Sequence, residues 1–158
     1  MEIIKYVELT RSAFPDQPPY QWTENTSAPW TPITKDLSKS RVVLISSGGV
    51  YLRDQTPFNP VKNDLSLREI PKGAASGNLK ISHDFYDHAD ADKDINCVFP
   101  IERMRELEQE GFIGELSGIN FTFMGRIFKK SQFLGETIPL LISKLKKMSL
   151  DLAFLVPA

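Results

Sequence analysis

Apolar residues fall along this chain in short runs separated by polar loops, and their spacing predicts where strands and helices lie. Ser40 to Ser47 carries R-V-V-L-I-S, a β-branched run closed by Gly48-Gly49, which predicts a first strand buried on both faces and a tight turn after it. Leu79 to Ser82, Asn96 to Phe99 and Ile119 to Phe123 are further short strand candidates. Pro100 to Glu110 predicts a helix: proline opens it, Ile101, Met104 and Leu107 recur at helical spacing, and Gly111 stops it. Gly135 to Met148 predicts a second amphipathic helix, with Ile138, Leu141, Ile142 and Leu145 on one face. Its last turn carries Lys144, Lys146 and Lys147, where the helix dipole favours cations. Asp151 to Ala158, D-L-A-F-L-V-P-A, reads as a buried strand.

Strands alternating with helices in the second half predict an α/β fold with a mostly parallel sheet covered by helices, a three-layer arrangement of Rossmann-like or flavodoxin-like type. Two segments are expected: an extended arm over residues 1–38 packed on the domain, and the α/β domain over 39–158. From Thr10 to about Leu37 the arm carries Pro15, Pro18, Pro19, Pro29 and Pro32 with Tyr20, Trp22 and Trp30, a composition against regular helix or ladder pairing. In open α/β sheets, binding groups sit just past the carboxyl ends of strands. A last strand with no covering helix after it therefore predicts a truncated reading frame, incomplete at its carboxyl end, with an uncovered strand that makes the fragment poorly stable or self-associating.

Charge and composition narrow the function classes. With 19 basic and 20 acidic residues the net charge is −1, so no overall electrostatic footprint for nucleic acid is present. No apolar run approaches the ~20 residues that span a bilayer, and the start lacks the h-region of a secretory signal, which predicts a soluble, cytoplasmic protein without a membrane partner. Cys97, alone in the chain and set in I-N-C-V-F, reads as a small buried hydrophobe.

Two segments carry candidate chemistry. Ser46 to Tyr51, S-S-G-G-V-Y, places Gly48 and Gly49 at a strand end, where backbone N–H groups can meet an anion. It lacks the full G-x-G-x-x-G and a following helix, so it reads as a glycine-dependent turn with a carboxylate contact. Ile81 to Asn96 gathers His83 and His88 with Asp84, Asp87, Asp90, Asp92 and Asp94. Three readings stay open for this block: a divalent metal site, a solvated loop whose aspartates cap turns, and a polar site entered by His83 from a strand end. No metal is assigned. The expected pocket is Gly48, Gly49, His83, Tyr86 and Asp87, lining one crevice beside the end of the terminal strand, with Asp87 fixing the His83 tautomer.

Pro29 to Val50 (P-W-T-P-I-T-K-D-L-S-K-S-R-V-V-L-I-S-S-G-G-V), the block His83 to Pro100 ending D-I-N-C-V-F-P, and I-E-R-M-R-E-L resemble, in order, the selenoprotein B subunits of the glycine, sarcosine, betaine and D-proline reductases, most alike in layout to the D-proline reductase subunit. The resemblance implies an oxidoreductase acting on X–H and Y–H to form an X–Y bond with a disulfide as acceptor, cleaving a carbon–nitrogen bond of an amino acid or its N-methylated derivative. It implies a selenocysteine or cysteine nucleophile just after a strand like D-L-A-F-L-V-P-A, immediately past Ala158. No cofactor is implied for this chain itself. A companion subunit with a pyruvoyl group and a thiol or selenol electron donor are the implied partners. The alternative class is a non-catalytic α/β accessory domain that binds a small ligand or a protein.

Overall fold

The computed structural model describes residues 6–13, 15–16, 26–28, 31–84 and 86–158. The chain divides into two units, Met1–Ile33 and Thr34–Ala158. The first holds helix α1, Tyr6–Ala13. The stretch expected to be irregular from Thr10 thus begins on a helix: Y-V-E-L-T-R-S-A contains no breaker, and the first proline comes only at Pro15. Tyr20, Trp22 and Trp30 lie outside the described residues.

The second unit is built on β1, Arg41–Ser46, whose side chains alternate between two cores. Val42 and Leu44 pack with Ile101, Met104 and Phe99 on one face, while Val43 and Ile45 pack with Phe121 and Leu141 on the other. A strand buried on both faces has to be apolar throughout, which is why R-V-V-L-I-S is legible as one. After it come β2 (Val50–Leu52), β3 (Arg68–Pro71), β4 (Leu79–Ile81), α2 (Ala89–Lys93), α3 (Ile101–Gln109), β5 (Glu115–Leu116) and β6 (Ile119–Thr122). The chain continues with α4 (Lys130–Gln132), α5 (Ile138–Lys146) and β7 (Leu152–Val156).

The main sheet is mostly parallel. On one side of β1 lies β7, parallel along Val42 to Ser46. On the other side lie β5, beside Arg41 and Val42, and β6, beside Ile45 and Ser46, both parallel to it. Strand β3 closes that side antiparallel to β6. Between β5 and β6 the ladder breaks, and the buried Asn120 fills the break: its Oδ1 accepts from the Leu44 N–H at 2.9 Å and its Nδ2 donates to the Ser117 carbonyl at 3.1 Å. Helix α3 contributes to the core on one face of the sheet and α5 to the core on the other.

Five expectations change. Leu79–Ile81 is a strand but joins β2 in a separate two-stranded antiparallel ribbon. Asn96 to Phe99 is not a strand; Ile95–Cys97 forms a 3₁₀ turn capped by Asp94, whose carboxylate accepts from the Asn96 N–H at 3.0 Å. In that turn Cys97 is exposed, while its neighbours Val98 and Phe99 take the buried positions. Ahead of α5 the chain is already helical from Lys130, through a π turn at Phe133–Thr137. Pro139 has no N–H to give the carbonyl four residues back, and a π turn absorbs that break. Finally, β7 is not buried: it pairs with β1 and leaves Phe154 44% and Leu155 66% exposed.

Candidate functional site

Because β1, β6 and β7 run parallel, their carboxyl ends deliver Ser47 to Gly49, Met124 to Arg126 and Pro157-Ala158 to the same edge of the sheet. Backbone bonds tie these ends together. Ser47 N–H donates to Val156 O at 3.1 Å, Gly125 N–H to Ser47 O at 2.8 Å, and Gly49 N–H to Phe123 O at 3.0 Å. The Ser47 hydroxyl accepts from the Ala158 N–H at 2.9 Å and donates to the Ala158 carbonyl at 3.2 Å. Beneath them, Ser46 Oγ donates to Val98 O at 2.6 Å and accepts from the Gly48 N–H at 3.0 Å. The glycine amides are therefore engaged within the fold, and what Gly48 and Gly49 supply is room.

Into that room comes His83, just past β4, with 3% of its surface exposed. A Cβ built on Gly125 would stand 3.3 Å from His83 Nε2, 3.2 Å from Ser47 O and 3.1 Å from Ala158 O. Gly125 is thus the floor on which the imidazole, the end of β1 and the end of the β7 segment converge. Tyr86 lies against the imidazole with ring centroids 4.7 Å apart, and its hydroxyl donates to Gly48 O at 2.9 Å. Burial, with the charge of Asp92 adding to it, pushes the Tyr86 phenol up to about 12. It stays a neutral donor. Among the five expected pocket residues the structure brings Gly48, Gly49, His83 and Tyr86 together. Asp87 sits at the start of α2 and is exposed, its carboxylate accepting from the Ala89 N–H at 3.0 Å; the carboxylate whose charge acts on His83 is Asp84.

Burial depresses the His83 imidazole below its ordinary 6.5; Asp84 opposes this, while His88 and Arg126 add to it. The ring is neutral at neutral pH and can serve as a hydrogen-bond donor or a base. In the unfolded chain it takes up a proton as pH falls through 6.5, whereas the folded protein binds one only at lower pH. Stability is therefore expected to fall as pH drops from neutrality through 6.5, with the loss complete only below the depressed native pKa. Urea midpoints across this range should show a shallower slope in His83→Gln than in the wild type; parallel profiles would contradict the neutral, buried imidazole.

The aspartate-rich block resolves into local bonding. His88 Nδ1 pairs with Asp92 Oδ2 at 2.7 Å, Lys93 with Asp90 at 2.9 Å, and Asn96 with both Asp94 and Glu102. Of these, Asp92, Lys93, Asp94 and Glu102 border a cleft of about 270 Å³ between β4 and α2. Asn96 bonding holds the Asp94 and Glu102 carboxyls below the usual carboxylate range, so their charges are used inside the cleft wall. Among the described residues no cluster of histidine, cysteine and carboxylate side chains has the arrangement of a metal site, and no helix is long and apolar enough to cross a membrane.

The sequence assigns no site role to Ser46, Ser47, Asn63, Gly125 or Arg126: the first two enter only as part of S-S-G-G-V-Y, and Arg126 only as the start of a basic stretch read as a solvated helix face. The signal for two of them was available: M-G-R follows the predicted strand Ile119 to Phe123 and so falls at a strand's carboxyl end. Asn63 gives no local signal, since its partners stand more than sixty residues away.

Residues 17–151 match the family described as glycine/sarcosine/betaine reductase selenoprotein B. The chain is 41% identical over 126 residues to the D-proline reductase subunit gamma of Acetoanaerobium sticklandii, an overlap of 80% of this chain and 52% of that subunit. It is 32% identical over 119 residues to the sarcosine reductase complex component B subunit beta of Peptoclostridium acidaminophilum, covering 69% of this chain and 26% of that protein. With the glycine reductase complex component B subunit gamma of Carboxydothermus hydrogenoformans it shares 30% over 105 residues, 61% of this chain and 23% of the other. The chain thus spans about half the length of the D-proline reductase subunit and a quarter of the other two. No solved structure matches it. A match over this much of its length makes the chain a member of the glycine/sarcosine/betaine reductase selenoprotein B family.

Proposed function

We propose that this chain is the amino-terminal portion of a reductase subunit that cleaves a carbon–nitrogen bond in an amino acid or its N-methylated derivative, with glycine, sarcosine, betaine and D-proline as the candidate substrates. The observation that carries it is the 41% identity to a D-proline reductase subunit over 80% of the chain. The order in which β6 and β7 flank β1 supports reading the complete domain as a Rossmann-like or flavodoxin-like three-layer fold, with its crevice at the strand ends.

In this reading the nucleophile, a selenocysteine or cysteine, follows Ala158 in the complete subunit, next to Ser47, Gly125 and His83. A pyruvoyl group on a companion subunit would supply a carbonyl able to activate a primary or secondary substrate amine, whereas the quaternary nitrogen of betaine is already a leaving group. The selenolate attacks the α carbon, forming a carbon–selenium bond as the carbon–nitrogen bond breaks and the amine keeps the electron pair. A thiolate then attacks selenium, forming a selenium–sulfur bond while the released carbon takes a proton. Carbon gains two electrons, the selenol–thiol pair loses two, and an external thiol or selenol donor restores the pair. An anion already formed at neutral pH is the group such an attack needs. Neutral His83 orients the substrate within a pocket of Gly48, Gly49 and Tyr86 without charge-pairing with the nucleophile; Asp87, expected there from the sequence, is turned to the start of α2.

The nucleotides after the Ala158 codon test this. A UGA followed by an open frame with a nearby cysteine codon is the expected result; UAA or UAG with no downstream frame would overturn it. A native product of 17.9 kDa without selenium would favour the accessory domain instead.

A further inference from the structure

Two residues other than glycine near this crevice sit in the left-handed backbone region, Asn63 at φ 51° and Arg126 at φ 50°, and they are bonded to each other. Asn63 is 8% exposed. Its Nδ2 donates to the Arg126 carbonyl at 2.8 Å, while its Oδ1 accepts from Phe128 N–H at 2.9 Å and Lys129 N–H at 3.3 Å. One buried amide thus fixes three backbone groups of the segment leaving β6. Asparagine tolerates this backbone region; a long branched cation such as arginine does not favour it, and such strain persists where the surroundings over-determine it and function uses it.

The strained residue leaves the floor of the crevice: Gly125 N–H donates to Ser47 O, and a side chain on Gly125 would run into His83, Ser47 and Ala158. The Arg126 guanidinium stacks over the Phe128 ring with Cζ 5.0 Å from its centroid, and its charge reaches His83. An amino-acid carboxylate entering here meets the Ser47 and Ala158 carbonyl oxygens and the Asp84 charge, which repel it. The amides that would serve as a cradle are taken: Gly48 by Ser46 Oγ, Gly49 by Phe123 O, Gly125 by Ser47 O. Carboxylate recognition at this edge therefore calls for a side-chain cation, and a planar guanidinium offers two parallel donors to one.

We propose that Arg126 receives the carboxylate of the amino-acid substrate and that Asn63 is the positioning residue that holds it over the crevice, an inference that rests on reading the chain as part of an amino-acid reductase subunit. In the complete subunit assembled in its complex, Arg126→Gln should raise KM by about tenfold or more with a smaller fall in kcat, Arg126→Lys should recover part of it, and Asn63→Asp, which loses the donor to Arg126, should fall between. Arg126→Gly separates function from structure: it relieves the backbone strain, so the melting temperature should rise while KM rises as in Arg126→Gln. A second readout needs no turnover. Saturating D-proline, sarcosine or glycine should raise the His83 pKa measured by NMR in the wild type, because a bound carboxylate neutralises the nearby guanidinium; pyrrolidine should not, and Arg126→Gln should abolish the response. An unchanged KM in Arg126→Gln, or a His83 response that survives in it, would overturn the inference and leave the reductase reading intact. A wild-type complex that turns over none of the four amines would instead overturn the reductase reading.

Discussion

Gly49→Ala is expected to destabilise the protein by about 3 kcal/mol, a large share of the roughly 5–15 kcal/mol that holds a domain together. Gly49 has φ 68°, where a Cβ costs about 1–2 kcal/mol on backbone grounds alone. The added methyl would also stand 2.6 Å from the Ser82 carbonyl oxygen and 3.1 Å from His83 Cβ. Neither neighbour can yield cheaply. Ser82 N–H donates to Gly49 O at 3.0 Å, so the two backbones are locked at this spacing, and Gly49 N–H is held in turn by Phe123 O. Relief would come only by pushing the end of β4 outward, which carries His83 away from Gly125 and Ser47. Denaturant midpoints should show the loss, with Gly73→Ala, where an added Cβ meets nothing within 4 Å, as the neutral control. In the complete reductase the same variant should lose more than about tenfold in turnover at temperatures where it remains folded, because a displacement of about 1 Å at a binding group has that effect. A Gly49→Ala protein unfolding at the wild-type midpoint would show that the β1 turn and the β4 end are not coupled through this residue.

That coupling marks the boundary of what the sequence could reveal. R-V-V-L-I-S is legible because burial on both faces requires an unbroken apolar run, and I-E-R-M-R-E-L because Ile101, Met104 and Leu107 repeat at helical spacing behind a proline. Partners are another matter. L-K-I reads as a strand from its own residues, but nothing in it says that it pairs with β2 in a ribbon and not with the main sheet. R-E-I-P offers only Ile70 to the core and contains proline, so β3, an edge strand, leaves no local trace. Asn96 to Phe99 is ambiguous in sequence because two buried apolar residues after polar ones satisfy a strand and a 3₁₀ turn equally; the Asp94 cap decides, and a cap is a matter of geometry. The same division runs through the site. His83 and the glycines announce themselves as chemistry at strand ends, whereas Asn63 and Arg126 are defined by backbone angles that only distant contacts impose. Phe154 and Leu155, apolar and expected to be buried, are exposed on a strand for which β1 is the one partner among the described residues.

Asn120 is where the sheet itself is most vulnerable, and Asn120→Asp is expected to make its stability strongly pH-dependent. The wild-type amide, 0% exposed, accepts from Leu44 N–H and donates to Ser117 O, bridging the break between β5 and β6. Replacement by alanine would orphan both backbone groups and leave a void, costing about 2–4 kcal/mol. Aspartate keeps the acceptor for Leu44 but, when ionised, sets a buried charge against the Ser117 carbonyl; the cost at about pH 7 is roughly 4 kcal/mol or more. Desolvation and that carbonyl both raise the carboxyl pKa in the folded state above its unfolded value of about 3.9. A group shifted in this direction contributes stability that is full below the unfolded pKa and is lost as pH rises through the folded one. The protonated acid can also donate to Ser117 as the amide did. Asn120→Asp should therefore lie within about 2 kcal/mol of the wild type near pH 4 and fall away from it towards pH 7, opposite in sense to the His83 effect. Urea unfolding of the two proteins across that range is the measurement. A constant difference between them would mean that the position is hydrated, and that the ladder from β1 to β6, which carries Gly125 to Ser47 and so assembles the crevice, does not depend on a dry amide bridge.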